Sequence, residues 1–516
     1  MVGKDLLIGI DIGTTDTKCT VYSLRGEVAA SYGCEYPMRH PQSGWAEENT
    51  ADWWNAVTEG LRHCLKTVPP ARIAAIGVSC TNTFIPVDRA GNALHNAIMQ
   101  IDQRAADEVD WLREHIGEER FRRVTGNRLA RGTYALPTLR WFIRNRPDIV
   151  DKAYKFLVPS GLIICKLTGE FTINESRMGF TLLSDIRTGR WDDGLCRDAG
   201  VDPRLLPRPC KAYEIAGRVT AEAAALTGLE PGTPVVGGAM DTVAAAVGAG
   251  AVEFGDVFMA IGTCGRLCYI GDGKAFDHRL MNCRNAFPGQ YLSIEATNAA
   301  GISLRWFRDQ FGTAARPDGD TRPIYDIFNE LAQSVPPGAG GLTYLPYLSG
   351  ERSPIWDPYA RGVFFGMSLS TGCAEMIRAI MEGVAFSIRE GIEILKEQGC
   401  EIRQLSLGGG VANSTIWCHI FADILGYPVI KLELNETETL GDAVLAGYGV
   451  GLIQNPVEFA QKISSRGKGI QPNALNQERY NAQFALYRKL YASLKDDFIS
   501  LNQITQTKQE TGFEKV

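Results

Sequence analysis

Long hydrophobic runs are missing from this sequence of 516 residues. No stretch reaches about 18 uninterrupted apolar residues, the length that a membrane-spanning helix needs. The apolar run at residues 6–12 is interrupted by Asp11, and it is too short for a signal peptide. We therefore expect a cytoplasmic protein with no membrane partner.

An excess of positive charge is missing as well. Lys and Arg number 53 against 59 Asp and Glu, which gives a formal net charge of −6 at pH 7. Nucleic-acid binding needs clustered basic residues that neutralise phosphates, so the composition argues against a nucleic-acid partner. The 45% hydrophobic and 22% charged residues are typical of a folded globular protein and exclude a disordered or low-complexity chain.

Cysteine pairs of the metal-binding type are also absent. The 13 cysteines include no CxxC pair. Cys264 and Cys268 are four residues apart, but neither a second pair nor a nearby histidine completes a zinc set. We interpret the cysteines as free thiols of a protein in a reducing compartment.

Two distant segments share one pattern of strands and turns. Residues 6–32 run as an apolar strand, a Gly-Thr-Thr turn and two further apolar strands. Residues 256–273 repeat the hairpin, with Gly-Thr-Cys-Gly at its turn. Chance similarity of two short hairpins is the alternative. The repeat predicts two related domains, 1–252 and 253–500, followed by a polar tail at 501–516.

Helices and strands alternate in both halves. We predict helices at Ala51–Leu65 and Ala105–His115 and a strand at Ile73–Ser79. In the second half, apolar spacing predicts a helix at Glu375–Leu395, and a strand at 405–407 precedes three glycines and another helix. This alternation predicts α/β architecture.

The first hairpin carries residues suited to a metal–phosphate site. Asp11 ends a strand and is followed by Gly13, Thr14, Thr15 and Lys18. Glycine lets the backbone approach an anion, and the N–H groups of a turn can hold phosphate oxygens. Lys18 adds positive charge, and a carboxylate can hold Mg²⁺ through its waters. A plain hairpin with a strand-end aspartate is the alternative.

Two turns of the second half add further candidates. Gly262 and Thr263 offer N–H donors at the second hairpin. Gly408, Gly409 and Gly410 follow a strand, and glycines retained at such a junction indicate a ligand pressed against the backbone. Asn413 is either the cap of the next helix or a ligand contact.

Asp241 lies in a glycine-rich turn between a strand and a small-residue helix. Its carboxylate is either the N-cap of that helix or a group that accepts a proton from a substrate. A carboxylate at a helix N-terminus stays ionised, so the two interpretations are compatible.

In their order along the chain, these elements resemble the FGGY carbohydrate kinases. The resemblance rests on the Asp11 hairpin, Asp241, the Gly262 turn, the glycine run and LGDAVLAGYGVG at 440–451. The most specific match is GVFFGMSLSTGCAEMIRAIMEG at 362–383, and SGERSPIWDP at 349–358 resembles the xylulokinase branch. The similarity extends from about residue 6 to 455.

The resemblance implies a two-domain, actin-like (ribonuclease-H-like) α/β fold with a cleft between the domains, and ATP and Mg²⁺ as cofactors. It implies a magnesium site at Asp11, a small sugar or polyol as substrate, and Asp241 as the proton acceptor. A homodimer is one option for its assembly. The nucleotide-binding residues it implies are Gly13, Thr14, Thr15, Lys18, Gly262, Thr263, Gly409, Gly410 and Asn413. The substrate-binding residues it implies are Asn82, Thr83, Asp102, Arg104 and Asp241.

Some positions depart from the family pattern. Thr138 stands where the family usually has lysine. Asn82 and Thr83 replace the Met-His of xylulokinases and the Arg-Glu of glycerol kinases, which argues against glycerol and leaves a xylulose-like ketose open beside other polyols, ketoses and linear sugar derivatives. A non-kinase actin-like ATPase and a catalytically silent sugar-binding regulator are the rival functions. The presence of both Asp11 and Asp241 favours the kinase.

Overall fold

The computed structural model describes residues 3–274, 276–433, 436–464 and 468–510. The chain forms two compact units. The first comprises Met1–Phe254, Ile270–Ser293 and Glu436–Ser465, and the second comprises Gly255–Tyr269, Ile294–Asn435 and Arg466–Val516. The division of the chain at residue 252 stays a prediction. In the predicted polar tail, residues 501–510 continue the last helix, and residues 511–516 lie outside the described residues.

The strands are mostly short and recur along the whole chain. They are β1 (Leu6–Ile12), β2 (Asp16–Ser23), β3 (Val28–Glu35), β4 (Glu47–Glu48), β5 (Ile73–Cys80), β6 (Ile85–Val87), β7 (Ala97–Ile98), β8 (Lys155–Leu157), β9 (Thr172–Asn174), β10 (Ser184–Asp185), β11 (Arg190–Trp191), β12 (Arg208–Cys210), β13 (Ile215–Arg218), β14 (Pro234–Val236), β15 (Ala239–Met240), β16 (Asp256–Ile261), β17 (Gly265–Gly271), β18 (Met281–Arg284), β19 (Tyr291–Thr297), β20 (Thr343–Leu345), β21 (Val363–Phe365), β22 (Gln404–Gly408), β23 (Val429–Lys431) and β24 (Lys468–Ile470).

Helices separate many of these strands. They are α1 (Thr50–Cys64), α2 (Ala106–His115), α3 (Glu118–Thr125), α4 (Leu136–Asn145), α5 (Pro147–Val150), α6 (Pro159–Thr168), α7 (Glu175–Gly179), α8 (Asp193–Asp198), α9 (Ala221–Thr227), α10 (Asp241–Gly248), α11 (Gly301–Ala315), α12 (Ile324–Ser334), α13 (Cys373–Glu397), α14 (Thr415–Leu425), α15 (Thr437–Gly449), α16 (Pro456–Ser464) and α17 (Ala474–Glu510). The predicted helices at 51–65, 105–115 and 375–395 are confirmed by α1, α2 and α13. Among the described residues, no helix combines the length and hydrophobicity that crossing a lipid bilayer requires.

The first unit is built on a mixed sheet with strand order β13-β14-β5-β1-β2-β3, and β15 also pairs with β5. Strands β1 and β5 are parallel and almost wholly buried, because helices cover both faces of parallel strands. The three strands predicted in residues 6–32 are confirmed. Helix α15 packs against β1, β5 and α10, and Tyr22 Oη lies 2.8 Å from Thr439 Oγ1.

The second unit repeats the same local topology. Strand β16 is antiparallel to β17 and parallel to β22, as β1 is to β2 and β5. The predicted second hairpin and the strand before the three glycines are therefore confirmed. Helix α13 is buried along most of its length, and Trp417 on α14 donates from Nε1 to the carbonyl of Met381 at 3.0 Å.

Candidate active site

Asp11 lies at the carboxyl end of β1, beside the end of the parallel strand β5. Its neighbour in the β-sheet register is Ser79, whose Oγ donates to Asp11 Oδ1 at 2.8 Å. On the other side Asp11 is paired with Lys18 of β2. The Lys18 ammonium lies 3.2 Å from Glu436 Oε2. Lys18 therefore forms an ion pair with Glu436 in addition to being the register neighbour of Asp11.

The turn after Asp11 is fixed by hydrogen bonds at Gly13, and its two threonines are exposed to solvent. Gly13 donates to the carbonyl of Asp16 at 2.9 Å, and the Tyr36 hydroxyl donates to the carbonyl of Gly13 at 2.6 Å. Thr14 and Thr15 are exposed, and within the described residues their backbone N–H groups donate to no protein acceptor. Such unpaired turn amides suit a phosphate.

Several carboxylates surround Asp11. Burial, together with the charges of Glu438 and Asp241, raises the pKa of Asp11 to about 8, although Ser79 and Lys18 act in the opposite direction. On α15, burial raises the pKa of Asp442 well above its usual range, and the charges of Asp11 and Glu438 add to that rise against the effect of Ser79. A bound cation would relieve this repulsion between the carboxylates.

The donor set around Asp11 fits magnesium. In the part of the chain that the structure describes, no three His, Cys, Asp or Glu side chains form a metal-ligand set. Mg²⁺ usually keeps several waters and binds through one or two carboxylates plus substrate phosphates. Asp11, which lies next to the unpaired amides of Thr14 and Thr15, matches that mode of binding.

Asp241 is the first residue of α10 and not its N-cap. The cap position is Met240, whose side chain makes no capping hydrogen bond. Three donors meet at Asp241 Oδ1: the Thr242 amide at 2.7 Å, the Thr242 hydroxyl at 3.2 Å and Arg177 Nη2 at 3.3 Å. The Asp241 side chain is 24% exposed and that of Arg177 is 2% exposed. The N-cap interpretation is therefore wrong, because this carboxylate bonds the next residue and a buried guanidinium.

Asn82 is buried and keeps one polar atom without a protein partner. Its Nδ2 donates to the carbonyl of Thr133 at 2.9 Å, while Oδ1 accepts no hydrogen bond from the described residues. An unsatisfied buried acceptor costs free energy unless a ligand or water donates to it. Thr83 differs, because its hydroxyl already donates to the carbonyl of Ile98 at 2.5 Å.

Asp102 and Arg104 form a pair with each other. Arg104 donates from Nε to Asp102 Oδ1 at 2.9 Å and from Nη2 to Oδ2 at 2.8 Å. The guanidinium also stacks 3.5 Å from the ring centre of Trp45 and pairs with Glu47 at 2.8 Å. Both side chains of the Asp102–Arg104 pair are 1% exposed. The predicted substrate role of this pair stays a prediction.

In the second unit, the Gly262 turn accepts hydrogen bonds from the start of α11 and from its N-cap residue. The carbonyl of Gly262 accepts from the Gly301 amide at 2.8 Å, and that of Thr263 accepts from the Ala300 amide at 3.2 Å. The side chain of Thr263 is exposed. Cys264, the next residue, is the exposed member of the 13 free cysteines.

The glycine run of the second unit makes a close backbone approach. Gly409 has φ of +85°, and a Cβ there would lie 2.6 Å from the carbonyl oxygen of Ile261. Gly410 and Asn413 are exposed. The cap of α14 is Ser414, whose hydroxyl accepts from the Trp417 amide at 3.2 Å. The capping interpretation of Asn413 is therefore wrong, and its ligand interpretation stays a prediction.

Sequence reasoning missed four members of the cluster around Asp11 and Asp241. Ser79 could have been found, because it ends a strand that the sequence predicts in the same half of the chain as Asp11. Asp442 lies in the glycine-rich motif at 440–451. That motif is equally typical of a small-residue helix packed in a core, so it does not identify Asp442 as a site residue. Arg177 and Glu438 carry no sequence signal, since their proximity to the site depends on tertiary packing.

Comparisons with known proteins agree with this geometry. The N-terminal domain of the FGGY family of carbohydrate kinases matches residues 6–248, and the C-terminal domain matches residues 268–450. The chain is 30% identical to a xylulose kinase of Bacillus subtilis, with 95% of this chain and 97% of that protein covered. It is 31% identical to a gluconokinase of the same species, with 87% and 88% covered.

A solved structure gives the same result for the fold. The crystal structure of xylulose kinase from Rhodospirillum rubrum has a TM-score of 0.87 at 30% identity and covers 96% of this chain and 99% of that one. The predicted two-domain, actin-like α/β fold is thereby confirmed. The chain belongs to the FGGY family of carbohydrate kinases.

Proposed function

We propose that the protein transfers the γ-phosphate of ATP to a hydroxyl of a small uncharged sugar or polyol, with a xylulose-like ketose as the first candidate. Kinases of this family are sugar phosphotransferases that use ATP with Mg²⁺. The observation that carries the proposal is the convergence of Asp11, Asn82 and Asp241 at the carboxyl ends of β1, β5 and β15. Ligands of α/β sheets bind at such strand ends.

In this proposal Asp241 accepts the hydroxyl proton as the bond to phosphorus forms. An aspartate is too weak a base to deprotonate an alcohol beforehand, but it can take the proton within a loose transition state. Asn82 Oδ1 receives a hydrogen bond from a second substrate hydroxyl, which fixes the reacting hydroxyl relative to Asp241. Asp11 would hold Mg²⁺, which when bound would neutralise charge that develops on the phosphoryl group. The Thr14–Thr15 amides would hold phosphate oxygens.

A linear sugar acid is the second candidate substrate. The 31% identity to a gluconokinase favours it, whereas the buried neutral side chain of Asn82 favours an uncharged substrate. A screen that measures ADP release with D-xylulose, D-gluconate, pentitols and glycerol separates the two. ATP turnover that no acceptor stimulates would instead indicate an actin-like ATPase, and the Asp241→Asn variant serves as the catalytic control.

Two further features belong to the same proposal. A cytoplasmic location is supported by the 13 free thiols, which suit a reducing compartment. A homodimer is the assembly that we propose to test by light scattering.

A further inference from the structure

Arg177 is a buried cation beside Asp241, the proposed proton acceptor. The family resemblance assigns no role to it. It lies on the short helix α7, whose N-cap Asn174 accepts from the Arg177 amide at 2.8 Å. Its side chain is 2% exposed. Burying a guanidinium is costly unless it is paired and hydrogen-bonded, so its partners indicate why it is there.

The partners of Arg177 lie where β5 and β15 end. Its Nη2 donates to the carbonyl of Cys80 and to Asp241 Oδ1 at 3.3 Å. Cys80 is paired in register with Met240, the residue before Asp241. The guanidinium therefore joins the end of one strand to the carboxylate that follows the other.

This arrangement restricts how the Asp241 carboxylate can rotate. Arg177 and the two Thr242 donors all reach Oδ1, so the plane of the carboxylate is fixed by groups on two different elements, α7 and α10. Asp241 is 24% exposed, and a carboxylate with that much access to water does not need a buried partner for its own solvation. The contact with Arg177 therefore serves mainly to orient the Asp241 carboxylate, and it is not needed to compensate for lost hydration.

We propose that Arg177 is a positioning residue for phosphoryl transfer: it holds Oδ1 of Asp241 so that Oδ2 is directed at the substrate hydroxyl. The inference rests on the proposed role of Asp241. Misplacing a reacting group by about 1 Å can cost about a hundredfold in rate. The loss should appear in kcat and leave the KM values for sugar and ATP nearly unchanged, because Nη2 of Arg177 bonds the Cys80 carbonyl and Asp241 Oδ1 and the proposed role is to orient that carboxylate.

A double-mutant cycle tests this. Arg177→Met is made in the wild type and in Asp241→Asn, and kcat is measured by ADP release with the best acceptor from the screen. In the wild type we expect a fall of about 30- to 100-fold in kcat, and in Asp241→Asn a change of less than about threefold, because residues that act as a unit are not additive. Arg177→Lys, which keeps the charge and the ability to donate but loses the planar fork of the guanidinium, should recover part of the loss.

Arg284→Met is the matched control. Arg284 pairs with Glu175 of the same helix at 2.8 Å, so its loss perturbs α7 without a hydrogen bond to Asp241, and we expect kcat within about twofold of the wild type. Equal losses in both backgrounds, or a rise in KM at unchanged kcat, would overturn the role of Arg177. Should Arg177→Met not fold, the same cycle with Arg177→Lys applies the same criterion. Wild-type kcat in Asp241→Asn would instead overturn the proposed function of Asp241.

Discussion

Gly9 of β1 faces the backbone of Thr439 so closely that a Cβ at Gly9 would lie 1.8 Å from the Thr439 carbonyl oxygen. The same helix meets β5 at Gly77, where a Cβ would lie 2.2 Å from the carbonyl oxygen of Asp442. These two glycines let α15 lie directly on β1 and β5, the strands that carry Asp11 and Ser79 near their carboxyl ends. The spacing between α15 and the strand ends is therefore set by backbone contact.

Gly9→Ala should separate α15 from β1. Because the new methyl group has no room, we expect the free energy of unfolding to fall by about 1–3 kcal/mol, measured by urea denaturation. Gly33→Ala is the matched control, since a Cβ there meets only Lys18 Cγ at 3.9 Å. Equal stability of the two variants would show that α15 can shift without cost.

Asp241→Asn should fold and lose at least about a hundredfold in kcat, because an amide cannot accept the proton. Its free energy of unfolding should fall by about 1–2 kcal/mol, since Arg177 exchanges a charged partner for a neutral one. Asp192→Ala is the control for a true cap: Asp192 Oδ1 accepts from the Leu195 amide at 2.6 Å. That variant should lose stability only, with kcat unchanged.

Asn82→Ala should lower kcat/KM for the sugar by about tenfold or more, because a hydroxyl of the substrate loses its acceptor, while KM for ATP stays near the wild-type value. Thr83→Val is the matched control. Its hydroxyl already bonds the Ile98 carbonyl, so its loss should cost about 1 kcal/mol of stability and little kcat/KM. The reverse pattern in steady-state kinetics would assign the substrate contact to Thr83.

The sequence was sufficient for the fold but only partly for the site. Hairpin turns and helical spacing are local properties, so β1, β2 and α13 could be predicted without tertiary information. The hydrogen-bond partner of a polar side chain, in contrast, depends on the tertiary structure. Asp102 and Thr83 have the right chemistry for a sugar, yet their hydrogen bonds go to Arg104 and Ile98. The packing of α15 in the first unit likewise depends on the close contacts of Gly9 and Gly77, which the hydrophobic pattern of the sequence does not predict.

Asp11→Ala should sharply reduce turnover, and raised Mg²⁺ should restore only part of it, because the carboxylate that holds the ion is gone. The measurement is kcat against Mg²⁺ concentration. Glu27→Gln, which removes an exposed carboxylate from the turn between β2 and β3, should follow the wild-type curve. Wild-type activity in EDTA equal to that in Mg²⁺ would contradict the assignment of the metal.

Glu48 should make stability depend on pH. It is 1% exposed, its Oε2 accepts from Trp53 Nε1 at 2.8 Å, and burial raises its pKa to about 7 against the effect of Trp53. Between its unfolded pKa of about 4.3 and this value, the folded state keeps a proton that the unfolded state releases. The stability that protonated Glu48 contributes is therefore complete below about pH 4 and is lost as the pH rises to about 7.

Glu48→Gln removes this dependence. The free energy of unfolding of the variant relative to the wild type should rise by about 4 kcal/mol in total across that pH window, with most of the rise seen in urea denaturation between pH 5 and 8. Glu47→Gln is the adjacent control. Although desolvation opposes them, hydrogen bonds from Asn96 and Arg104 hold the pKa of Glu47 below its usual value, so its contribution is lost only in more acidic solution. Its difference from the wild type should therefore stay constant from pH 5 to 8, and a constant difference for Glu48→Gln as well would show that Glu48 is ionised in the folded protein throughout.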